Sequence, residues 1–272
     1  MNGLLIYELK EIKRNSSFIE RLIIAAERFG HTFTVIDDQN SSIPEADFIF
    51  FRARNPKLSK QLEERNLPMF NRAEVNVIAN DKYKAIQLVQ LLGIPSVPTR
   101  KIKTIFDIRD YPVVLKTVDG HGGTQVELFQ SEEQAKVFIE EHSSKTIIAQ
   151  TYIETNATDV RVFMLGTEVI GAVKRIGAVD SFKSNFTLGG TVKAYSLNSQ
   201  QLADVKKIAT ALKSDYIGID FLLLPDGNWL FNEIEDPVGA RSYYATTKKD
   251  ITIPIMDYIN KKLTENPDQM RV

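Results

Sequence analysis

The chain has no cysteine among its 272 residues. Disulfides, thiolate metal sites and thiol catalysis are thereby excluded, and the composition fits a reducing compartment. Histidine is nearly as scarce. His31, His121 and His142 are the three in the sequence, and their spacing suits no multi-histidine zinc site. Neither sign of charge is in excess: 34 basic residues face 35 acidic ones, for a net charge of −1. No bulk attraction to nucleic acid or to an anionic membrane is expected. No apolar run approaches the ~20 residues of a membrane-spanning helix. The N-terminus, Met-Asn-Gly-Leu-Leu-Ile-Tyr-Glu-Leu-Lys10, lacks a long apolar core and a small-residue cleavage site. A signal peptide is therefore not expected, and a cytoplasmic location is. Glycine patterns are also informative by absence. The first 75 or so residues contain no Gly-x-Gly-x-x-Gly, so no dinucleotide is assigned there, and no Gly-Lys-Ser/Thr marks a Walker A loop. What remains is an ordinary globular composition, 43% hydrophobic and 25% charged, long enough for one large domain or two to three small ones.

Along the chain, strand and helix patterns alternate at first. Leu4 to Tyr7, Thr32 to Ile36, Ala46 to Phe51 and Pro68 to Phe70 read as strands. Ser16 to Phe29, stopped by Gly30, and Lys57 to Arg65 read as helices. That alternation predicts a small α/β domain with a largely parallel sheet. Asn80 to Leu92 is a helix, with Asn80 or Asp81 as N-cap and Gly93 as its stop. Ile94-Pro-Ser-Val-Pro-Thr99 is extended, because residues before proline are pushed away from helix, and a boundary is placed there. Tyr111 to Phe129 reads as strand, glycine loop, strand. Ser131 to Glu141 is a helix with a Ser-x-x-Gln capping box, and Thr146 to Gln150 is a strand. Beyond Asp159 strands dominate: Val160 to Leu165, Glu168 to Arg175, and Thr191 to Ser196. The helix Gln201 to Leu212, a hairpin and a closing helix Ile251 to Lys262 follow. The division expected is 1–93, 94–154 and 155–272, an α+β arrangement whose last part is mostly antiparallel.

The hairpin carries the strongest chemical signal. Ile217 to Leu224 and Trp229 to Ile234 pair across the turn Pro225-Asp-Gly-Asn228. Strand side chains alternate, so Glu233 and Glu235 share a face while Ile234 points away. Asp220 lies on the facing strand. Three acids converging in an apolar hairpin repel one another unless a cation sits among them. Hard oxygen ligands suit Mg2+, which takes one or two carboxylates together with phosphate oxygens and water. Exposed, ordinarily solvated hairpin residues are the plainer alternative.

Phosphate grips are available elsewhere. Asp119-Gly120-His121-Gly122-Gly123-Thr124 is a glycine loop between strands, and glycines let backbone N–H groups approach an anion. Lys116 precedes it on the strand, within reach of an α- or β-phosphate; a hairpin turn beside an exposed lysine would look the same. Gln150-Thr-Tyr152-Ile153-Glu154 follows a strand and could meet an adenine edge, or be an ordinary strand end. Asp159, Arg161, Lys174, Arg175, Lys183 and Asn185 put cations and an amide on neighbouring strands and loops. Asp159 and Arg161 share a strand face and could pair with each other.

In this order the motifs resemble the ATP-grasp superfamily, and within it the RimK-like carboxylate–amine ligases. The resemblance runs from Phe51-Arg52 through Asn71-Arg72, Asn80-Asp-Lys82, Lys116 with its glycine loop, and Gln150 to Ile153. It continues through Asp159-Val-Arg161, Lys174-Arg175, Phe182-Lys-Ser-Asn185 and Gly189-Gly190, and ends at Gly218-Ile-Asp220 and Asn232-Glu-Ile-Glu235. Any one motif is weak, and the ordered set is strong. The resemblance implies an ATP-grasp fold and an ATP- and Mg2+-dependent ligase, with Mn2+ as a substitute ion, that forms an amide or peptide bond through an acyl phosphate. Its substrates would be small-molecule or peptide carboxylates and amines. A homo-oligomer is left open, as are a non-catalytic nucleotide-binding module and an ATP-grasp kinase. By the same resemblance Lys82 and Lys116 would hold phosphates beneath a lid of Gly120, Gly122 and Gly123. Gln150, Tyr152 and Ile153 would contact adenine, and Asp159 and Lys174 would complete the nucleotide site. Asp220, Glu233 and Glu235 would hold the metal. Arg175, Asn185 and Arg241 would face the reacting groups. Two departures stand out: Glu235 occupies the place of the family's usual asparagine, and Lys183 that of an arginine. Glu235 could then bind metal more tightly, or need a cationic partner such as Arg241. After Pro237 the sequence diverges.

Overall fold

The computed structural model describes residues 1–40, 42–121, 125–177 and 190–265. The alternating N-terminal segment builds a parallel sheet in the order β2-β1-β3-β4, from β1 (Asn2–Tyr7), β2 (Thr32–Asp37), β3 (Phe48–Arg52) and β4 (Met69–Phe70). Its helices are α1 (Leu9–Arg14), α2 (Ser16–Arg28), α3 (Pro56–Glu63) and α4 (Ala73–Ala79), of which α1 and α4 were not read from the sequence. Local chemistry explains the starts. Asn55 caps α3 by accepting from the Leu58 N–H, with Pro56 as the first helical residue. Asp81 caps α5 (Lys82–Leu91) by accepting from Tyr83 and Lys84, and Gly93 ends it at a φ of 70°.

A second sheet, wholly antiparallel, has the order β5-β8-β6-β7. It uses β5 (Thr99–Ile102), β6 (Val113–Thr117), β7 (Val126–Phe129) and β8 (Ile147–Thr151), covered by α6 (Glu132–Glu141). β5 begins at Thr99, the last residue of the extended linker, and runs on through a segment to which the sequence assigns no element. The Ser131 capping box does not form: the Ser131 side chain makes no cap bond, and Gln134 accepts instead from the Gln130 N–H.

The third sheet runs β11-β10-β9-β12-β13, all antiparallel: β9 (Thr158–Leu165), β10 (Glu168–Ile176), β11 (Thr191–Ala194), β12 (Tyr216–Leu223) and β13 (Trp229–Glu235). Alternation gives it two faces. On one, Val160, Val162, Met164, Ile217, Ile219, Phe221 and Ile234 pack against α5 and α7 (Ser199–Leu212). Helix α5 thus shares its core with this sheet. The other face is apolar at one end, where Phe163, Leu165, Val173 and Tyr216 join α2 and α9 (Thr252–Glu265). The two ends of the chain therefore meet in one core. At its other end this face is charged, and the site lies there. Three asparagines fasten β13 to the N-terminal segment. Asn71 and Asn76 each donate to one oxygen of the buried Asp236 carboxylate, and Asn80 donates to its carbonyl. Burial still pushes the Asp236 carboxyl up, with the two amide bonds opposing it.

Candidate active site

Register decides which side chains meet. Asp220 stands opposite Glu233 on β13 and opposite Arg161 on β9, and Arg175 on β10 stands opposite Asp159. A bulge between Asp220 and Phe221 leaves Asn232 without a partner across the ladder. The bulge turns Asn232 and Glu233 toward the same site. Glu233 Oε2 lies 3.1 Å from Lys82 Nζ, and Asn232 Oδ1 accepts from Lys116 Nζ at 2.9 Å.

Around Asp220 the charges are tightly paired. The carboxylate is fully buried and accepts from Arg161 Nε at 2.7 Å, Arg161 Nη2 at 2.6 Å and Arg175 Nη2 at 2.7 Å. Arg175 also forks onto Asp159 with two bonds of 2.6 Å, and Arg161 Nη2 reaches Glu235 Oε1 at 2.7 Å. The sequence-level pairing of Asp159 with Arg161 is therefore corrected: each takes a partner on a neighbouring strand. Burial alone would raise the Asp220 carboxyl, but Arg161 and Arg175 outweigh it and hold it below the usual range. For Glu233 burial again raises and Lys82 leads the groups that lower, with a net downward shift. Lys116 is pushed down to about 8, first by burial and further by Lys82, while Glu233 and Asp220 pull the other way.

The remaining expected residues fall into three groups. Lys82, the first residue of α5, also donates to the Gly120 carbonyl, so the start of the glycine loop sits at the site. Gln150 is buried in β8 and donates to Thr99, Tyr152 donates to Glu154, and Ile153 lies just beyond β8. These three are at the end of one strand, and among the described residues none of them hydrogen-bonds to the charged cluster. Lys174 is a correction. It pairs with Val160 and so occupies the face opposite Arg175, because neighbours on a strand point to opposite sides. Arg241 lines the same cavity as Arg161, Arg175 and Glu235 but does not pair with Glu235. It opens α8 (Arg241–Thr246), is exposed and donates to the Arg14 carbonyl, whereas the cations at Glu235 are Arg161 and, at 3.9 Å, Arg54. Gly122, Gly123, Lys183 and Asn185 lie outside the described residues.

Sequence reasoning missed Asn232, which only the bulge brings in, and did not place Arg161 on the acids. It also missed Arg54, on which no local pattern draws attention. The three acids Asp220, Glu233 and Glu235 each offer an oxygen within 4.8 Å of the others, a donor set suited to a hard dication. In the protein alone, however, Asp159, Asp220, Glu233 and Glu235 are balanced by Arg161, Arg175, Lys82 and Lys116. A bare dication meets little net attraction; a polyphosphate that draws the lysines to itself would leave Glu233 open to an ion.

Residues 78–259 match the family described as the RimK-like ATP-grasp domain. The chain is 28% identical over 247 residues to an uncharacterized protein of Mycoplasma genitalium, covering 88% of this chain and 85% of that one. It is 29% identical over 273 residues to a probable alpha-L-glutamate ligase of Aliivibrio salmonicida, covering 89% and 90%. Among solved structures, a D-cycloserine synthetase superposes with a TM-score of 0.81 at 15% identity, over 97% of this chain and 100% of that one. A RimK domain protein from Sphaerobacter thermophilus superposes with a TM-score of 0.74 at 21% identity, over 94% and 98%. At these identities the superpositions speak to fold.

Proposed function

The chain belongs to the RimK-like ATP-grasp family and has the ATP-grasp fold, and on that premise we propose that it is an ATP-dependent ligase joining a carboxylate to an amine. One observation carries the reading. Two buried lysines from separate elements, Lys82 of α5 and Lys116 of β6, meet at adjacent residues of β13, Glu233 and Asn232, directly beside Asp220. Paired ammoniums next to paired carboxylates suit a nucleotide triphosphate carried with a dication. The reading keeps the subdomains 1–93, 94–154 and 155–272, a cytoplasmic setting with free nucleotide, and small-molecule or peptide substrates. Among the described residues no helix is long and apolar enough to cross a membrane.

In this reading Lys82 and Lys116 bind the phosphates beside Gly120, and the family resemblance assigns the glycine loop the part of a lid. Asp220 and Glu233 would hold Mg2+, or Mn2+ in its place, which would neutralise charge on the transferred phosphoryl group. Arg175, fixed by Asp159, faces that group, and the family resemblance assigns Asn185 to the same role. The substrate carboxylate attacks the γ-phosphate to give an acyl phosphate, and the amine then displaces phosphate. Such chemistry depends on positioning and charge neutralisation and needs no protein nucleophile, in keeping with the absence of cysteine.

The test is incubation with ATP, Mg2+ and pools of amino acids and peptides. Equimolar ADP, phosphate and a new amide are expected. ADP with a phosphorylated product and no amide would make the protein a kinase. Nucleotide binding without turnover on any substrate would reduce it to a binding module.

A further inference from the structure

The cavity beside Arg175, of about 160 Å³, has walls from distant parts of the chain. Arg52 and Arg54 flank Ala53 at the end of β3, whereas Arg161, Arg175 and Glu235 belong to the third sheet. One buried amide ties the two walls together. Asn76 of α4 is 1% exposed, and its Nδ2 carries two hydrogens that go to opposite walls. One goes to the Ala53 carbonyl at 2.9 Å, and the other to Oδ2 of Asp236, the neighbour of Glu235, at 3.1 Å. These partners lie 23 residues before Asn76 and 160 residues after it. The orientation of the amide is set by its acceptors. Among the described residues Asn76 Oδ1 is buried without a partner, yet a flipped amide would press that oxygen against a carboxylate and a carbonyl. Arg52 adds a second tie between the same walls, donating Nη2 to the Val238 carbonyl at 2.7 Å.

We propose that Asn76 is a positioning residue for the joining of carboxylate to amine. It holds Arg52 and Arg54 at a fixed distance from Arg161, Arg175 and Glu235, and so sets the geometry in which the reacting groups meet. The inference rests on the ligase reading, in which Arg175 faces the transferred group.

The phosphate grip is fastened by other bonds. The Lys82 N–H donates to the Val118 carbonyl at 3.0 Å, and Lys116 sits in β6, paired on both sides, with its ammonium on Asn232. Asn80, two residues before Lys82, donates to the carbonyls of Asn76 and Asp236 and so ties the start of α5 to β13 without the Asn76 side chain. Loss of the Asn76 amide therefore frees the arginine wall and leaves the lysines in place. Catalysis is sensitive to such a change because a misplacement of about 1 Å costs on the order of 100-fold even when no reacting group is removed.

The test compares wild type with Asn76→Ala, Asn76→Ser and Ile219→Ala, using the carboxylate and amine pair that the pooled assay identifies. The measurements are kcat/KM for that pair per folded molecule, the Kd of a non-hydrolysable ATP analogue, and the denaturant midpoint. Ile219→Ala is the control for lost stability, because it opens the apolar core on the other face of the third sheet. For Asn76→Ala the kcat/KM for the pair should fall by about 100-fold, while the Kd of the analogue stays within about 2-fold, as for an independent site. Asn76→Ser keeps one donor and serves where the alanine variant does not fold; its kcat/KM should fall by about 10-fold, the factor of one lost hydrogen bond. Ile219→Ala should move neither quantity by more than about 2-fold. A fall in kcat/KM no larger than that of the control would make Asn76 a purely structural residue and overturn the inference. So would an equal weakening of analogue binding and turnover, since the arginine wall would then not be held separately from the phosphate grip. No amide from the wild type with any pair would remove the ligase reading itself, and this inference with it.

Discussion

Ile219 and Asp220 are neighbours in β12 and both are fully withdrawn from water, but on opposite faces of one sheet. Ile219 lies in the apolar core that α5 and α7 complete. Asp220 is enclosed by the guanidinium groups of Arg161 and Arg175. The first residue is held by non-directional burial, about 1.5–3 kcal/mol for such a side chain, and a similar apolar residue would serve nearly as well. The second is held by matched charge. A paired buried carboxylate adds little net stability, yet removing one partner leaves the rest uncompensated. Adjacent positions in the sequence thus have different tolerances, and the difference follows from which face each one occupies.

Replacement of Asp220 by Asn should break the charged face most severely. We expect a loss of about 3–5 kcal/mol, since Arg161 and Arg175 stay buried, and a fall in turnover of at least about 100-fold per folded molecule. Denaturant midpoints and initial rates measure the two losses separately. Near-wild-type turnover would show that the charged face is structural only.

Ile219→Ala probes the other face. It should cost about 2–5 kcal/mol through the cavity it leaves, with turnover per folded molecule close to wild type. A larger drop in rate than in stability would show that the two faces are not independent.

The third effect is a pH dependence. Burial and Lys82 bring Lys116 down to about 8, so its ammonium is lost as pH rises through that value. The kcat/KM for ATP should fall above about pH 8 in the wild type. Lys116→Arg keeps its charge across this range and should lack that fall. A flat wild-type profile to pH 9 would show that Lys116 keeps its proton throughout this range.

The smallest effect sharpens the comparison one strand away. Lys174 and Arg175 are neighbours in β10 that point to opposite faces. Lys174→Ala should change stability by no more than about 0.5 kcal/mol, as for a surface side chain, and should leave the KM for ATP unaltered. A clear rise in that KM would return Lys174 to the nucleotide site.

Much of this was legible in the chain. The strands from Val160 onward, the Asp220–Glu233 hairpin and the helix capped by Asp81 follow from period, turn residues and caps, which act over a few residues. The parallel N-terminal sheet follows from strand–helix alternation. Helices α1 and α4 were hidden because they are six and seven residues long, too short to show a period. Assigning Lys174 with Arg175 failed because a dipeptide motif ignores alternation. Arg54 was overlooked because its role depends on a fold that returns β13 to the end of β3.

By itself the sequence determined the local alphabet of the site: acids on facing strands, a lysine before a glycine loop, and a lysine at the start of a helix. These are set by dihedral preference, side-chain alternation and capping, all short-range. Only the tertiary structure decided who pairs with whom. Arg161 goes to Asp220 and Glu235, Arg175 to Asp159, and a bulge brings Asn232 to Lys116. Charges that meet from strands 16 to 116 residues apart are matched by register and burial, and neither is written in any one segment.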